Sequence, residues 1–279
     1  MSADAALGNG ETCDGRAVVV VPCYNEEHRL DARALLDLAE SGDVRLLFVN
    51  DGSTDGTDAL LDQLSRASES IDILDLKWNV GKAEAVRRGL CRAIAAGAPI
   101  VGYFDADLAT PGSELLRMIR ILTERTELTA VFGSRIARLG SDIRRSLLRH
   151  YTGRVFATFA SMALGVAVYD TQCGAKVFRV NETFVAATEK PFRSRWSFDV
   201  VLCQRLFDGT SDVPGLPTSS FLELPLEQWS DMEGSKVNLV GSMLALGDVI
   251  VVGVERRSHL RNRRVFKRSG QDASAQHPK

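Results

Sequence analysis

The first strongly patterned stretch is Arg16 to Cys23, in which four consecutive valines, Val18 to Val21, run into Pro22. An unbroken β-branched run predicts a strand covered on both faces, and the proline predicts an abrupt stop with polar chemistry just after it. Leu30 to Glu40 spaces its apolar residues as a helix does, and Arg45 to Val49 is a second short apolar run that ends in Asn50-Asp51-Gly52-Ser53-Thr54-Asp55. Strand, helix, strand predicts a right-handed parallel crossover. The unit recurs: a helix from about Asp55 to Arg66, a strand near Ile71 to Leu76, a helix from Gly81-Lys82 through Ala95, and a strand from Ile100 to Phe104 that ends in Asp105-Ala106-Asp107. Thr110-Pro111 reads as an N-cap followed by proline at the first helical position, and Ala130 to Gly133 is short and β-prone.

Every polar cluster of this half follows a predicted strand, which is where open parallel sheets hold ligands. The expected fold class is therefore α/β, a mostly parallel, Rossmann-like sheet flanked by helices in a single catalytic domain. We divide the chain into a disordered leader (1–15), a domain at 16–254 with a nucleotide half (16–135) and an acceptor half (136–254), and a partly disordered basic tail (255–279). Asp208 to Ser220 reads as a loop. Leu147 to Val168 and Leu239 to Val254 mix apolar with small residues and suit either core helices or helices lying at a membrane interface.

Composition narrows the function. The 279 residues are 45% hydrophobic and 25% charged with a net charge of -2, an ordinary globular profile that gives no reason to expect nucleic acid. Five scattered cysteines, never at zinc-site spacing, read as reduced thiols of a cytoplasmic protein. The N-terminal stretch lacks the basic start and apolar run of a signal peptide, and no apolar run reaches the length of a membrane span. Charge matters locally: Arg256, Arg257, Arg261, Arg263, Arg264, Lys267 and Arg268 form a cluster of the kind drawn to anionic lipid, so attachment at the cytoplasmic membrane face is expected. No aromatic platform accompanies it, which disfavours nucleic acid.

Asp105 and Asp107, one residue apart at a strand end, can reach one hard cation if the chain kinks there. A departing nucleotide diphosphate needs such a cation to stabilise charge on its oxygens. An acidic turn is the plainer alternative, as helix caps are for Asn25 and Ser53. Three further clusters, at Pro22 to Glu27, Asp51 to Ser53 and Asn79 to Lys82, lie at strand ends upstream in the order a nucleotide cleft requires.

The strings VPCYNEE, NDGSTDGT, NVGKAEAVRRG and DADLATP resemble those of the inverting family 2 glycosyltransferases of GT-A fold. DTQCGAKVFR (170–179), RWSFDVVL (195–202) and EGSKV (233–237) resemble in particular the dolichyl-phosphate glucosyltransferase and mannosyltransferase branch. The resemblance covers roughly Ala17 to Val254. It implies that Pro22, Tyr24, Asn25, Glu26 and Asp51 hold the nucleoside, with Asp51 accepting from a uracil, and that Gly81, Lys82, Asp105 and Ala106 line the rest of the donor site. It implies Mg2+ or Mn2+ on Asp107 and Asp105, with Asp199 completing the shell unless that residue is a surface carboxylate of an amphipathic helix. In the string Gly133-Ser134-Arg135 the arginine is expected to meet phosphate. Arg149 and Lys236 are expected to join it on an acceptor phosphate, with Arg144 and Arg145 nearby; a solvated basic helix face is the alternative.

Phe192 stands where processive members carry glutamine before Arg195-Trp196, and no Glu-Asp pair follows the Ala130 strand. A hydroxyl acceptor normally needs a general base, which Asp199 or Asp170 would have to supply, whereas a phosphate monoester is already anionic. The reading is thus transfer of a hexose from a nucleotide sugar, UDP-glucose first, to a polyprenyl phosphate. Asp231, Met232 and Glu233 favour glucose over mannose, while Asn50 and Ala175 depart from the branch. The alternatives are a soluble or cell-surface hydroxyl acceptor, a nucleotidyltransferase, for which Cys23-Tyr24-Asn25 is not the needed glycine-rich loop, and a non-catalytic scaffold.

Overall fold

The computed structural model describes residues 13–144, 147–192, 194, 197–210, 212–231, 245–254 and 256, the side chains of 147–150 excepted. Strands β1 (Ala17–Cys23), β2 (Val44–Asn50), β3 (Ile71–Asp75) and β4 (Ile100–Phe104) pair in parallel in the order β3-β2-β1-β4. Helices α1 (Ala32–Ala39), α2 (Thr57–Ala67) and α3 (Lys82–Ala95) connect them. The valine run is what the pattern predicted: Val18 to Val21 are fully buried, and they alternate between two cores. Val18 and Val20 face one core and Val19 and Val21 the other. Each such valine stabilises the fold by roughly 1.5–3 kcal/mol relative to exposure.

The second half contributes α4 (Gly112–Glu124), β5 (Ala130–Ser134), β6 (Asp142–Arg144), α5 (Leu147–Leu164), β7 (Ala175–Arg179), α6 (Glu182–Glu189), α7 (Phe198–Asp208), β8 (Phe221–Pro225) and β9 (Gln228–Ser230), with a further helical stretch at 245–254. The main sheet runs β3-β2-β1-β4-β7-β5-β8, and β6 pairs with β9 apart from it. Strand β7 is antiparallel to both β4 and β5, and the other pairings of this sheet are parallel, as a mostly parallel sheet requires. The core on one side of the sheet draws on α3, α5, α6, α7 and 245–252, that on the other on α1, α2 and α4.

Gly89 brings α3 close to the sheet: a Cβ there would lie 2.5 Å from a Val20 methyl and 2.9 Å from Val49. The alternative reading of Asn25 and Ser53 as helix caps does not hold. Asn25 and Ser53 brace neighbouring loops instead, and α1 is capped by Asp31. Helix α4 starts one residue later than expected, with Pro111 as its N-cap. Because β1 lies between β2 and β4, the chain reverses direction across the sheet there and opens a crevice beyond the carboxyl ends of those strands.

Candidate active site

The loops after β1 and β2 are tied into one unit. The Asn25 amide accepts from the Thr54 backbone N–H (2.8 Å), the Ser53 hydroxyl accepts from the Asn25 N–H (3.1 Å), and the Thr57 hydroxyl accepts from that of Glu26 (2.8 Å). Asn25 takes a left-handed conformation (φ 52°) to do so. The Glu26 carboxylate lies 3.1 Å from Arg29, so this expected nucleoside contact is already ion-paired. Tyr24, directly after β1, remains exposed. Asp51 is buried after β2, and its two oxygens accept from the backbone N–H groups of Val80 (2.7 Å) and Gly81 (2.9 Å). It therefore fixes the loop that delivers Lys82 to the N-terminus of α3, a place that favours anions. Gly52 (φ 65°) passes so close to the Trp78 backbone that a Cβ would sit 2.6 Å from it.

Lys82 donates to Asp105 at 2.5 Å. Burial works against the ammonium, but the Asp105 charge outweighs it and raises its pKa above the ordinary lysine value. The Asp105 N–H donates to the Gly174 carbonyl (3.0 Å), and a side chain at 174 would collide with the Asp105 carboxylate. Beyond buried Ala106, Asp107 accepts from the Ala109 N–H at 3.1 Å and lies 3.5 Å from Arg29. Burial, then repulsion from Asp105, pushes its pKa above the usual carboxylate value. Just after the pair, Leu108 takes a left-handed conformation (φ 51°). Two oxygen-donor groups that repel each other suit a hard divalent cation, which commonly takes one or two carboxylates together with substrate phosphates.

Asp199 is placed differently from a surface carboxylate: it is buried at the start of α7, where it accepts from the Tyr103 hydroxyl and from Lys176 (2.8 Å). Tyr103 and Lys176 are paired neighbours on β4 and β7, and the Lys176 ammonium also donates to the Cys173 carbonyl (2.7 Å). Among the described residues no three His, Cys, Asp or Glu side chains gather as a metal group, so Asp105, Asp107 and Asp199 do not form one shell here. Asp199 lies within electrostatic reach of Lys82. Sequence reasoning missed Lys176 and Tyr103, whose only signal was a lysine inside the string DTQCGAKVFR.

Arg135, at the end of β5, grips Asp170 through its Nε (2.6 Å), Nη2 (2.8 Å) and backbone N–H (3.1 Å), with its guanidinium carbon 5.5 Å from the Trp229 ring centroid. Burial would raise the Asp170 pKa, but Arg135 prevails and holds it at about 2. Arg144 pairs with Asp142 on the surface. Arg149 is on α5 with its side chain outside the description, and Arg145 and Lys236 lie outside the described residues.

Residues 18–183 match the family described as Glycosyl transferase family 2. The chain belongs to this family. Among relatives, the dolichyl-phosphate β-glucosyltransferase of Dictyostelium discoideum is 30% identical over 84% of this chain and 72% of its own. The human enzyme of that name is 28% identical over 82% and 72%. Glucosyl-3-phosphoglycerate synthase from Mycobacterium tuberculosis, solved with Mn2+, UDP and glucosyl-3-phosphoglycerate, aligns with a TM-score of 0.62 at 18% identity, covering 87% of this chain and 80% of that one. The fold is thus GT-A and the protein a glycosyltransferase.

In this family 2 member, no helix among the described residues is long and apolar enough to cross a membrane. Arg256, counted above in the basic cluster, is instead ion-paired with Asp208 (2.7 Å). The other six cations of that cluster lie outside the described residues.

Proposed function

We propose that the chain transfers a hexose, glucose first, from a UDP-sugar to a polyprenyl phosphate with inversion at the anomeric carbon. The observation that carries the donor half is the Asp105–Asp107 pair at the end of β4, with Asp105 set by Lys82 and Gly174 beside the loop that Asp51 fixes. The names of the similar enzymes support the acceptor half.

A phosphate oxygen of the acceptor forms its bond to the anomeric carbon as the bond to the UDP oxygen breaks and the electron pair leaves with UDP. The attacking group is already anionic, so no proton has to be removed first. Asp107 and Asp105 would hold Mg2+ or Mn2+, which supplies Lewis-acid stabilisation of the leaving diphosphate. Lys82 orients Asp105 and presents positive charge to the same diphosphate. Asp51 and Tyr24 hold the nucleoside. Asp199 supports the floor through Tyr103, and Arg135 faces the acceptor side. We place the protein at the cytoplasmic face of a membrane, attached peripherally through its basic C-terminal segment.

The test is UDP release from a panel of nucleotide sugars with Mg2+ or Mn2+, with and without polyprenyl phosphate, for wild type and Asp107→Ala. Turnover should require both metal and lipid phosphate and vanish in the variant. Turnover that ignores the lipid but responds to a soluble hydroxyl acceptor would refute the acceptor assignment.

A further inference from the structure

Arg29 joins the loop after β1 to the carboxylate pair after β4. Beyond β1 the chain turns back so that the N–H groups of Arg29 and Leu30 both donate to the Glu26 carbonyl (2.9 Å each), and buried Leu30 anchors the turn. The turn brings the Glu26 and Arg29 side chains together, and the guanidinium reaches two carboxylates from there. Its Nη1 lies 3.1 Å from Glu26, and its Nη2 lies 3.5 Å from Oδ2 of Asp107, beyond the neighbouring strand. All three side chains are half-buried.

The two contacts differ in strength. A charge-assisted hydrogen bond spans about 2.7–2.9 Å, so 3.5 Å is an attraction of charges rather than a close bond. Glu26 thus fixes the guanidinium, which can leave Asp107 without undoing the turn. Oδ1 of Asp107 already accepts from the Ala109 N–H (3.1 Å), so the freer oxygen is the one that faces Arg29. A divalent ion that takes this oxygen must displace the guanidinium. Lys82 holds Asp105 in the same way from the start of α3. Glu26, Asp105 and Asp107 are therefore set against Arg29 and Lys82, three negative charges against two positive ones. A divalent ion arriving by itself turns this cluster net positive, and a nucleotide diphosphate arriving with it restores the balance.

We infer that Arg29 is a built-in counter-cation of Asp107: it stands on the metal's side of that carboxylate in the free protein, weakens binding of a divalent ion by itself, and so couples metal binding to arrival of the nucleotide diphosphate. The inference rests on Asp107 as metal ligand, as read above, and it makes Arg29 a residue that orders donor binding.

The experiment measures Mn2+ bound to the free protein from the loss of its aqueous electron paramagnetic resonance signal. It compares wild type with Arg29→Gln, Arg29→Met, Arg29→Lys and Arg33→Gln, the last removing the same charge from an exposed pair on α1. Without nucleotide, Arg29→Gln and Arg29→Met should bind Mn2+ about tenfold or more tightly than wild type, because a like charge beside the site is gone. Arg29→Lys, which keeps the charge, and Arg33→Gln should stay near wild type. Calorimetry of UDP binding with and without Mn2+ reads the coupling, which by linkage is the same factor from either ligand; that factor should shrink when the Arg29 charge is removed. An arginine that only braces the turn predicts the opposite sign, since a loosened turn weakens the metal site. Unchanged or weaker Mn2+ binding in a folded variant lacking the Arg29 charge overturns the inference, as does equal tightening in Arg33→Gln, which is an effect of net charge alone. Asp107→Asn separates the two readings. If Mn2+ strengthens UDP binding as much in Asp107→Asn as in wild type, the metal assignment fails; if Asp107→Asn abolishes the coupling and Arg29→Gln leaves Mn2+ affinity unchanged, only the role of Arg29 fails.

Discussion

Gly174 and Asp105 show how one missing side chain sets a carboxylate. Gly174→Ala should push the Asp105 carboxylate away from Lys82, lowering transferase turnover at least a hundredfold while far-UV circular dichroism stays native; native-level turnover would refute this role for the glycine. Asp107 makes the opposite case, since its charge is costly before substrate arrives. A carboxyl pKa raised on folding means that the folded state disfavours the charged form. That group favours folding only below its ordinary pKa, and the advantage is lost as pH rises through the folded value. At neutral pH Asp107→Asn should therefore raise the Tm of the free protein slightly while abolishing turnover; a lowered Tm would contradict the repulsion argument. For Asp170 the sign reverses: with a folded pKa of about 2, its contribution is complete above the ordinary carboxylate value and is lost as pH falls towards 2. Asp170→Asn, which leaves buried Arg135 without its charge partner, should cost about 3–5 kcal/mol in denaturant unfolding at pH 7, and the difference from wild type should shrink below pH 4.

Helix α7 is held to the sheet by the Lys176–Asp199 pair and Tyr103, so the tether belongs to three elements at once. Lys176→Met removes one partner of a buried pair and should destabilise by about 3–5 kcal/mol, whereas Lys176→Met combined with Asp199→Leu should recover much of that loss. Urea unfolding of Lys176→Met, Asp199→Leu and the double variant checks it, and a double-variant loss equal to the sum of the two single losses would show that the pair has no coupling. The same elements show what a sequence discloses. Strands β1, β2 and β4 were legible because both of their faces are covered, which writes continuous apolar runs such as Val18–Val21 or Leu46–Val49. Strand β7 was not legible: its five residues include buried Lys176, which reads as a polar position until Asp199 is seen beside it. The strand-end motifs disclosed where donor chemistry lies, since each is a local string. Partners distant in sequence, such as Asp51 with Val80 and Gly81 or Arg135 with Asp170, depend on pairing order that no local pattern encodes.

On the scale of the molecule, α5 turns Tyr151, Val155, Phe159 and Met162 outward at helical spacing, and the 245–254 helix exposes Ile250, Val251 and Val254. The two helices touch, since a Cβ on Gly253 would lie 3.2 Å from that of Ala163, and Arg256 is anchored to Asp208. An apolar surface shared by two adjoining helices, followed in sequence by six further cations between Arg257 and Arg268, matches an interfacial membrane contact in both of its components. Apolar insertion is insensitive to salt, whereas attraction of about 1 kcal/mol per Lys or Arg to an anionic surface decays over a Debye length. Flotation with phosphatidylglycerol-containing vesicles should therefore bind wild type at low salt and weaken in 0.5 M NaCl. Val155→Glu with Val251→Glu should reduce binding further at any salt concentration. The same variant should keep its turnover on a short, water-soluble polyprenyl phosphate and lose turnover on a long-chain acceptor embedded in vesicles, because only the second substrate requires the protein to be at the bilayer. Equal flotation of variant and wild type would refute the contact, as would light scattering that finds a dimer converted to monomer by the two substitutions, since the apolar face would then be covered by a second copy of the chain.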